Sequence, residues 1–214
     1  MVESNLNIGT ITNQEFRLFL AGFNKKLYKR LRNEKLLFDL KITRSGPVSR
    51  KMTATWQKLP IGSFFYNIDL SAAYWQIAYR IGYIDTITFQ KYLEDDRYKQ
   101  AKRLCFSFLG RENKMTYFHP NQQTPVEIRC DMTVLRTVYD NVRNELNRII
   151  VKAAEHAGEF IEYNTDGITV FHTQVNQIKK YFQSESLMFK ITKCKKISDT
   201  HYLHGAVLRK FKNK

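Results

Sequence analysis

The spacing of apolar residues along the chain alternates between helical and strand-like patterns. Apolar residues from Phe16 to Leu31 recur every three or four positions, and Thr12 with Glu15 forms a capping-box pattern just before them. A helix is therefore predicted over about 13–33. The same spacing predicts a long helix over about 131–157 and shorter helices over 72–80, 86–106 and 174–185.

Short apolar runs between these helices predict strands. The run 64–70 is a strand that delivers Asp69 at its end, and a second pair of strands flanks the turn at 164–167. A hairpin is expected over 114–129 with its turn at 119–121, and a closing strand over about 201–208. The stretch 36–62 is expected to be irregular or strand-like. This order of elements predicts an α+β fold.

Composition narrows the class of protein. The chain has 214 residues, 43% of them hydrophobic, with only nine Gly and four Pro, which excludes a disordered or collagen-like chain. The three cysteines (Cys105, Cys130 and Cys194) are odd in number and widely separated, which argues against a disulfide framework and favours the cytoplasm. No apolar run approaches the roughly 20 residues that span a bilayer, so no membrane partner is expected.

Charge gives the first indication of function. The chain carries 35 Lys and Arg against 20 Asp and Glu, a net charge of +15, which favours a polyanionic partner such as nucleic acid. The predicted helix over 13–33 has a basic face. Two explanations of this face stay open: it is simply exposed to solvent, or it contacts phosphates. The tail 209–214 is basic as well, and the same two explanations apply to it.

Two aspartates are the candidate catalytic residues. Asp69 and Asp166 each follow an apolar strand and stand at a turn. If the two strands lie side by side, the carboxylates come within a few ångströms and repel each other unless a cation neutralises them. Carboxylate oxygens suit Mg²⁺, and two such ions support phosphoryl displacement. The alternative is that both are ordinary turn aspartates.

The surrounding residues resemble the three motifs of family B DNA polymerases, in the family's order. Residues 69–74 (Asp-Leu-Ser-Ala-Ala-Tyr) resemble motif A, residues 102–110 (Lys-Arg-Leu-Cys-Phe-Ser-Phe-Leu-Gly) resemble motif B, and residues 164–168 (Asn-Thr-Asp-Gly-Ile) resemble motif C. The resemblance covers roughly 60–205. It implies a right-hand palm, an antiparallel sheet backed by helices, with short helical fingers and an N-terminal helix.

The resemblance also implies how the chain is divided. The N-terminal helix and lead-in would occupy 1–60, the palm 61–83 and 107–208, the fingers 84–106, and a basic tail 209–214. The chain has no room for a proofreading exonuclease before motif A or for a thumb after Gly205, so we expect a minimal form that relies on a thumb-supplying or processivity partner. So reduced a form suggests a virus or mobile element, in which case the compartment is the host cytoplasm.

The motifs transfer roles to individual residues. Asp69 and Asp166, with the Leu70 carbonyl, would bind two Mg²⁺ ions, for which Mn²⁺ can substitute. Tyr74 would stack beneath the incoming sugar. The incoming nucleotide would be contacted by Lys102, Lys99, Arg97 and Ser107, and the primed DNA by Lys193, Lys195, Lys196 and Tyr202.

Departures from the family pattern leave alternatives open. Asn164 replaces the first Asp of motif C, and Phe106 and Leu109 replace the Asn and Tyr of motif B. Thr200 stands where the family has the Lys of its primer-contacting motif. These changes also fit a non-catalytic nucleic-acid-binding protein on a degenerate palm. Residues 69–77 resemble motif A of reverse transcriptases too, and a primase-like polymerase remains a further alternative.

Overall fold

The structure is a computed structural model that describes residues 11–33, 51–53, 55–93, 95–109, 113–117, 126–130 and 133–210. The chain divides into two compact units. The first is formed by Met1–Ser45 with Ile77–Val142, and the second by Gly46–Gln76 with Arg143–Lys214. In chain order the elements are α1 (Asn13–Asn33), β1 (Lys51–Met52), α2 (Thr55–Lys58), β2 (Phe64–Leu70), α3 (Ala73–Arg80), α4 (Thr86–Leu93), a 3₁₀ turn (Asp96–Tyr98), α5 (Lys99–Leu109), β3 (Asn113–Tyr117), β4 (Val126–Cys130), α6 (Thr133–Ala157), β5 (Glu162–Tyr163), β6 (Gly167–Val170), α7 (His172–Ser184), β7 (Phe189–Lys196), β8 (His201–His204) and β9 (Val207–Lys210).

The second unit is built on a seven-stranded antiparallel sheet. Its strands follow the order β1-β5-β6-β2-β7-β8-β9, so β2 lies between β6 and β7. Ile68 on β2 is opposite Ile168 on β6 and Ile191 on β7. Because strand residues alternate between faces, this register fixes which side chains share a face with the strand-end aspartate.

Helix α7 covers one face of this sheet. Ile68 and Val170 from the strands and Ile178 and Phe182 from the helix are fully buried, and the rings of Phe182 and Phe189 are 5.6 Å apart. The packing follows from the apolar spacing of α7, which puts its apolar positions on one side. Helix α6 ends at Gly158, whose φ of +67° is the left-handed conformation expected of a C-terminal cap.

The other face carries a second hydrophobic cluster at the end of β2 remote from Asp69. Trp56, Phe65, Ile161 and Cys194 are buried together, and Tyr202 packs against them. Phe65 and Ile68 are three residues apart on β2, so their side chains lie on opposite faces of the sheet. The strand therefore contributes to the core on both of its faces.

In the first unit α1 packs its apolar side against α4 and α5. The rings of Phe19 and Tyr92 are 4.9 Å apart and those of Phe23 and Phe106 are 5.5 Å apart. The predicted capping box is present, because the Glu15 carboxylate accepts from the Thr12 N–H at 2.7 Å. The Thr12 hydroxyl in turn accepts from the Glu15 N–H at 3.1 Å.

The sequence predictions for the elements can be compared with these bounds. The predicted α+β class with an antiparallel sheet is confirmed, as are the helices over 13–33 and 131–157 and the strand 64–70. The single helix over 86–106 is wrong, because α4 ends at Leu93 and the 3₁₀ turn separates it from α5; the Asp95 carboxylate caps that turn by accepting from the Arg97 N–H at 3.0 Å. The single closing strand is also wrong, since β8 and β9 form a hairpin that reaches Lys210.

Strands β3 and β4 pair as the expected hairpin. Its turn at 119–121 and most of 36–62 lie outside the described residues, as do Gly110 of motif B and residues 211–214 of the basic tail. The palm, fingers and tail boundaries assign family roles to parts of the chain and stay a prediction.

Candidate active site

The central strand β2 brings the two predicted aspartates together. Asp69 is opposite Gly167 on β6, the residue that follows Asp166. The Leu70 N–H donates to the Asp166 carbonyl at 2.8 Å, so the turn between β5 and β6 is fastened to the end of β2. A methyl group on Gly167 would stand 2.1 Å from Oδ1 of Asp69. The Asp69 carboxylate therefore occupies the space that glycine leaves open.

The turn that presents Asp166 is organised by Asn164. Its side-chain Oδ1 accepts from the N–H groups of Asp166 at 3.2 Å and of Gly167 at 3.0 Å, forming an Asx turn. An aspartate could accept the same two bonds. The amide builds the turn without placing a further negative charge beside Asp69 and Asp166, which gives a local reason for the residue that departs from the family motif.

The surroundings of Asp69 shift its pKa. Burial and, after it, the negative charge of Asp166 raise the pKa of Asp69 to about 6, against an opposing contribution from the positive charge of Arg209. Asp166 itself is exposed. One carboxylate is half-buried, the other is open to solvent, and their charges repel. A divalent cation bound by both would neutralise their negative charge.

The connection from β2 into α3 holds Asp69 in place. Ala72 has a φ of +45°, in the left-handed region, and its carbonyl accepts from the N–H groups of Trp75 and Gln76 at the start of α3. The buried Gln76 side chain donates to the carbonyls of Ser71 and Met188. It also accepts from the Met188 N–H at 2.7 Å, so the turn is tied to the residue that precedes β7.

Other polar residues share the face of the sheet that carries Asp69. Asn67 donates to the Thr169 hydroxyl at 3.2 Å and contacts the His204 ring at 3.3 Å. Lys190 is opposite Asp69 on β7. The sequence analysis missed these residues, and it named Arg209, whose charge reaches Asp69, only as part of the basic tail 209–214. The sequence carried no clear signal for Lys190, because its place opposite Asp69 follows from the pairing of β7 with β2.

Tyr74 and Leu70 lie close to the aspartates in the chain. Tyr74 is half-buried in the first turn of α3, and Leu70 is the last residue of β2, with its side chain buried. Their roles in stacking and metal binding stay predictions.

The predicted nucleotide-binding residues of α5 belong to the first unit. Lys102 is only 6% exposed, and its ammonium donates to the carbonyls of Tyr92 and Leu93 at the end of α4. Burial lowers the pKa of Lys102, against raising contributions from Asp96 and Asp95. Arg97 is exposed and forms a two-point ion pair with Asp95. Lys99 is exposed, and the Ser107 side chain lies outside the described part of the structure.

The four predicted DNA-contacting residues are divided between the two faces of the sheet. Lys193 and Lys195 lie over the exposed ring of Phe64, at 4.0 and 5.6 Å from its centroid, on the face opposite Asp69. Tyr202 and Lys196 are register partners on the Asp69 side. Lys196 is 1% exposed, and its ammonium donates to the carbonyls of Trp56 and Leu59.

Phe106 and Leu109, which replace the Asn and Tyr of the motif that residues 102–110 resemble, are both buried. They share the apolar side of α5 with Cys105, so packing in the first unit accounts for their identity.

Among the described residues, no group of three or more His, Cys, Asp and Glu side chains comes together as a metal site. A carboxylate pair completed by a main-chain carbonyl does not require such a group. In the same part of the chain, no helix combines the length and apolarity needed to cross a membrane. No protein-family model matches the chain, and a comparison with curated proteins finds no similar sequence.

Proposed function

We propose that this chain is the catalytic core of a template-directed DNA polymerase, which adds deoxynucleotides to a primer 3′-OH. The observation that carries the proposal is the pairing of Asp69 with the Asp166–Gly167 turn across β2 and β6. This pairing supports the two-aspartate arrangement expected from the motif resemblance. The pKa of Asp69 is raised first by its burial and then by the negative charge of Asp166, as expected of a partly buried carboxylate beside a second one.

The donor set fits a hard divalent cation. Asp69 near the end of β2 and Asp166 in the turn before β6 would supply carboxylate oxygens, and Leu70 would supply a main-chain carbonyl, as the motif resemblance implies. These three residues would hold Mg²⁺. When bound, the ions supply charge neutralisation on the attacking and leaving oxygens of phosphoryl transfer.

The remaining residues of the site would bind the nucleotide and the primer and hold the two aspartates in position. Tyr74, at the start of α3, would lie under the sugar of the incoming nucleotide. Arg209 and Lys190 place positive charge on the Asp69 side of the sheet, where a primer phosphate would be attracted. Gln76 and Asn164 would act as positioning residues, because they hold the two turns from which Asp69 and Asp166 project.

Primer extension tests the proposal directly. A labelled primer on a DNA template is incubated with the full chain and Mg²⁺, either with all four dNTPs or with one at a time. We expect incorporation of the nucleotide complementary to the template, and loss of incorporation with a chelator. An RNA template in a parallel reaction tests the reverse-transcriptase alternative.

The matched variants are Asp69→Asn, Asp166→Asn and Glu155→Gln. Each replaces a carboxylate by an amide, but Glu155 is exposed on α6 and is not part of the site. The proposal requires that the two aspartate variants lose incorporation and that Glu155→Gln retains it. Extension that is equal in all of them would refute the assignment of the site.

A second candidate function is non-catalytic binding of nucleic acid. The observation that favours it is Lys102, whose ammonium is used by two helix carbonyls. If Lys102 is structural, Lys102→Met lowers the melting temperature and leaves the KM for dNTP unchanged. If it contacts the nucleotide, the KM rises. DNA binding without any metal-dependent incorporation by the wild-type chain would favour this second function.

A further inference from the structure

The sheet of the second unit exposes part of the face that α7 packs against. Alternation along β2 places Phe64, Tyr66 and Ile68 on this face and Asp69 on the other. Helix α7 lies over Ile68 and Val170, whose side chains are fully buried. Nearer the start of β2 the Phe64 side chain is 51% exposed, and Tyr66 is half-buried. The strand therefore presents two aromatic residues on one face, with Cα atoms about 7 Å apart.

Lysines on the neighbouring strand β7 lie beside these aromatic residues. Lys195 is opposite Phe64, and Lys193 is opposite Tyr66. The ammonium groups of Lys193 and Lys195 are 4.0 and 5.6 Å from the centroid of the Phe64 ring, and both side chains are exposed. The exposed ring of His172, just after β6, is 5.6 Å from the Tyr66 ring. This end of the face therefore brings aromatic rings and ammonium groups together.

The charges of the sheet are divided unequally between its faces. The carboxylates of its described strands, Asp69 and Glu162, both lie on the face opposite Phe64. Helix α7 contains no Asp or Glu. Asp199, in the connection between β7 and β8, forms an ion pair with Lys196 at 2.9 Å. The Phe64 face carries three lysines: Lys193, Lys195 and Lys210. Its net positive charge is complementary to a polyanion.

We propose that this end of the sheet binds single-stranded nucleic acid, with bases against Phe64 and Tyr66 and phosphates on Lys193 and Lys195. Proteins bind single strands by stacking bases on aromatic side chains next to cations that contact the backbone. A base that stacks on Phe64 takes the place of the Lys193 ammonium above the ring, and that ammonium then contacts a phosphate. The faces of the bases are accessible in a single strand and not in a duplex.

This binding surface is separate from the proposed catalytic site, because Asp69 is on the other face of the sheet. The inference requires binding alone and does not rest on metal-dependent catalysis. A wild-type chain that binds as proposed but incorporates no nucleotide would refute the proposed function and leave this inference standing.

The test is fluorescence anisotropy of a labelled oligothymidylate of about ten nucleotides with the full chain, in the presence of a chelator and over a range of salt concentrations. Phe64→Leu keeps an apolar side chain and removes the ring. We expect it to weaken binding about tenfold, with no change in the slope of log K against log salt or in the melting temperature. Phe64→Trp, which keeps a stacking surface, should retain the affinity. The corresponding duplex should bind the wild type and Phe64→Leu equally.

The cations are tested by a second pair of changes. Lys193→Gln with Lys195→Gln removes two charges beside Phe64, and Lys179→Gln with Lys180→Gln removes two exposed charges from α7. We expect the first pair to weaken binding about tenfold and to reduce the salt slope by about 1.4, which is two phosphate contacts on a single strand. The control pair should change both quantities much less.

Three results would overturn the proposal. Equal losses from the two lysine pairs would mean that only net charge matters. Full affinity in Phe64→Leu would mean that no base stacks on this ring. Ile191 and Leu208 are also exposed on this face, so the competing explanation is an interface between two copies of the chain. Sedimentation velocity would then show a wild-type dimer that Phe64→Leu weakens, while oligonucleotide binding is the same in both.

Discussion

Asp69 combines a half-buried position with a like-charged neighbour, and both make its ionised form costly. Its pKa is about 6 in the folded chain and near 3.8 when the chain is unfolded. Between these values the folded state holds the proton that the unfolded state has lost, so stability falls as the pH rises through about 6. In the proposed metal site, the benefit of such a residue lies in cation binding and not in folding.

Asp69→Asn should therefore stabilise the metal-free chain at neutral pH. We expect a gain of about 2 kcal/mol in the free energy of unfolding, which allows for the solvent that still reaches the carboxyl. The gain should vanish below about pH 4, where the aspartate is protonated in both states. Urea unfolding in the presence of a chelator, repeated across this pH range, measures it.

Asp85→Asn provides a control of opposite sign. Although burial opposes ionisation, hydrogen bonds from Thr88 and the charge of Lys26 hold the pKa of Asp85 below its usual range. Its contribution is present above about pH 4 and is lost as the pH falls through the folded pKa. Asp85→Asn should destabilise the chain at neutral pH. A destabilising Asp69→Asn at the same pH would contradict the assigned environment of Asp69.

Gly167→Ala tests the close approach of the two strands. The added methyl group would meet the Asp69 carboxylate at 2.1 Å and the Ile68 carbonyl at 3.0 Å, so the carboxylate must move. We expect nucleotide incorporation to fall about a hundredfold or more, as for ångström-scale misplacement of a catalytic group. Gly22→Ala is the matched control, because nothing lies within 4 Å of its added methyl group. Normal incorporation by Gly167→Ala would contradict the observed geometry.

At the scale of elements, the connection from β2 through the turn into α3 depends on the buried side-chain amide of Gln76. Gln76 binds the main chain of Ser71 and Met188. Its loss would remove the bonds to the Ser71 carbonyl and the Met188 N–H, whereas the Met188 carbonyl would keep its bond from the Ser71 N–H. Gln76→Ala should cost about 2–4 kcal/mol of stability. Gln177→Ala, on the exposed side of α7, should cost much less. Thermal or urea unfolding compares the two, and equal costs would argue against the role of Gln76 in fixing the turn.

The sequence predicted elements whose pattern is local. Helices α1 and α6 have long apolar repeats, and β2 is a continuous apolar run, so their positions followed from spacing. Strand β7 was not predicted, because Lys190 and Lys193 put charge on both of its faces and hide the alternation. It forms because β2 and β8 pair with it on either side, which is tertiary information.

At the scale of the whole molecule, the sequence indicated which elements lie side by side better than it indicated the placement of individual side chains. The strand that carries Asp69 and the turn that carries Asp166 lie side by side, which the apolar runs before the two residues indicated. The burial of Lys102 was not foreseen, although it shares a helical face with Cys105 and Phe106, and a lysine within an apolar face was the available signal. Lys196 forms an ion pair with the nearby Asp199 at 2.9 Å. Its bonds to the carbonyls of Trp56 and Leu59 could not be inferred, because those carbonyls are distant in the sequence.

The central claim is that Asp69 and Asp166 act as one catalytic unit. A double-mutant cycle on single-turnover incorporation tests it, with Asp69→Asn, Asp166→Asn and the double variant compared under identical Mg²⁺. Residues that act as a unit are not additive, so we predict that each single change lowers the rate about a thousandfold or more and that the double change lowers it little further. Losses that multiply, or incorporation that survives either single change, would contradict the account.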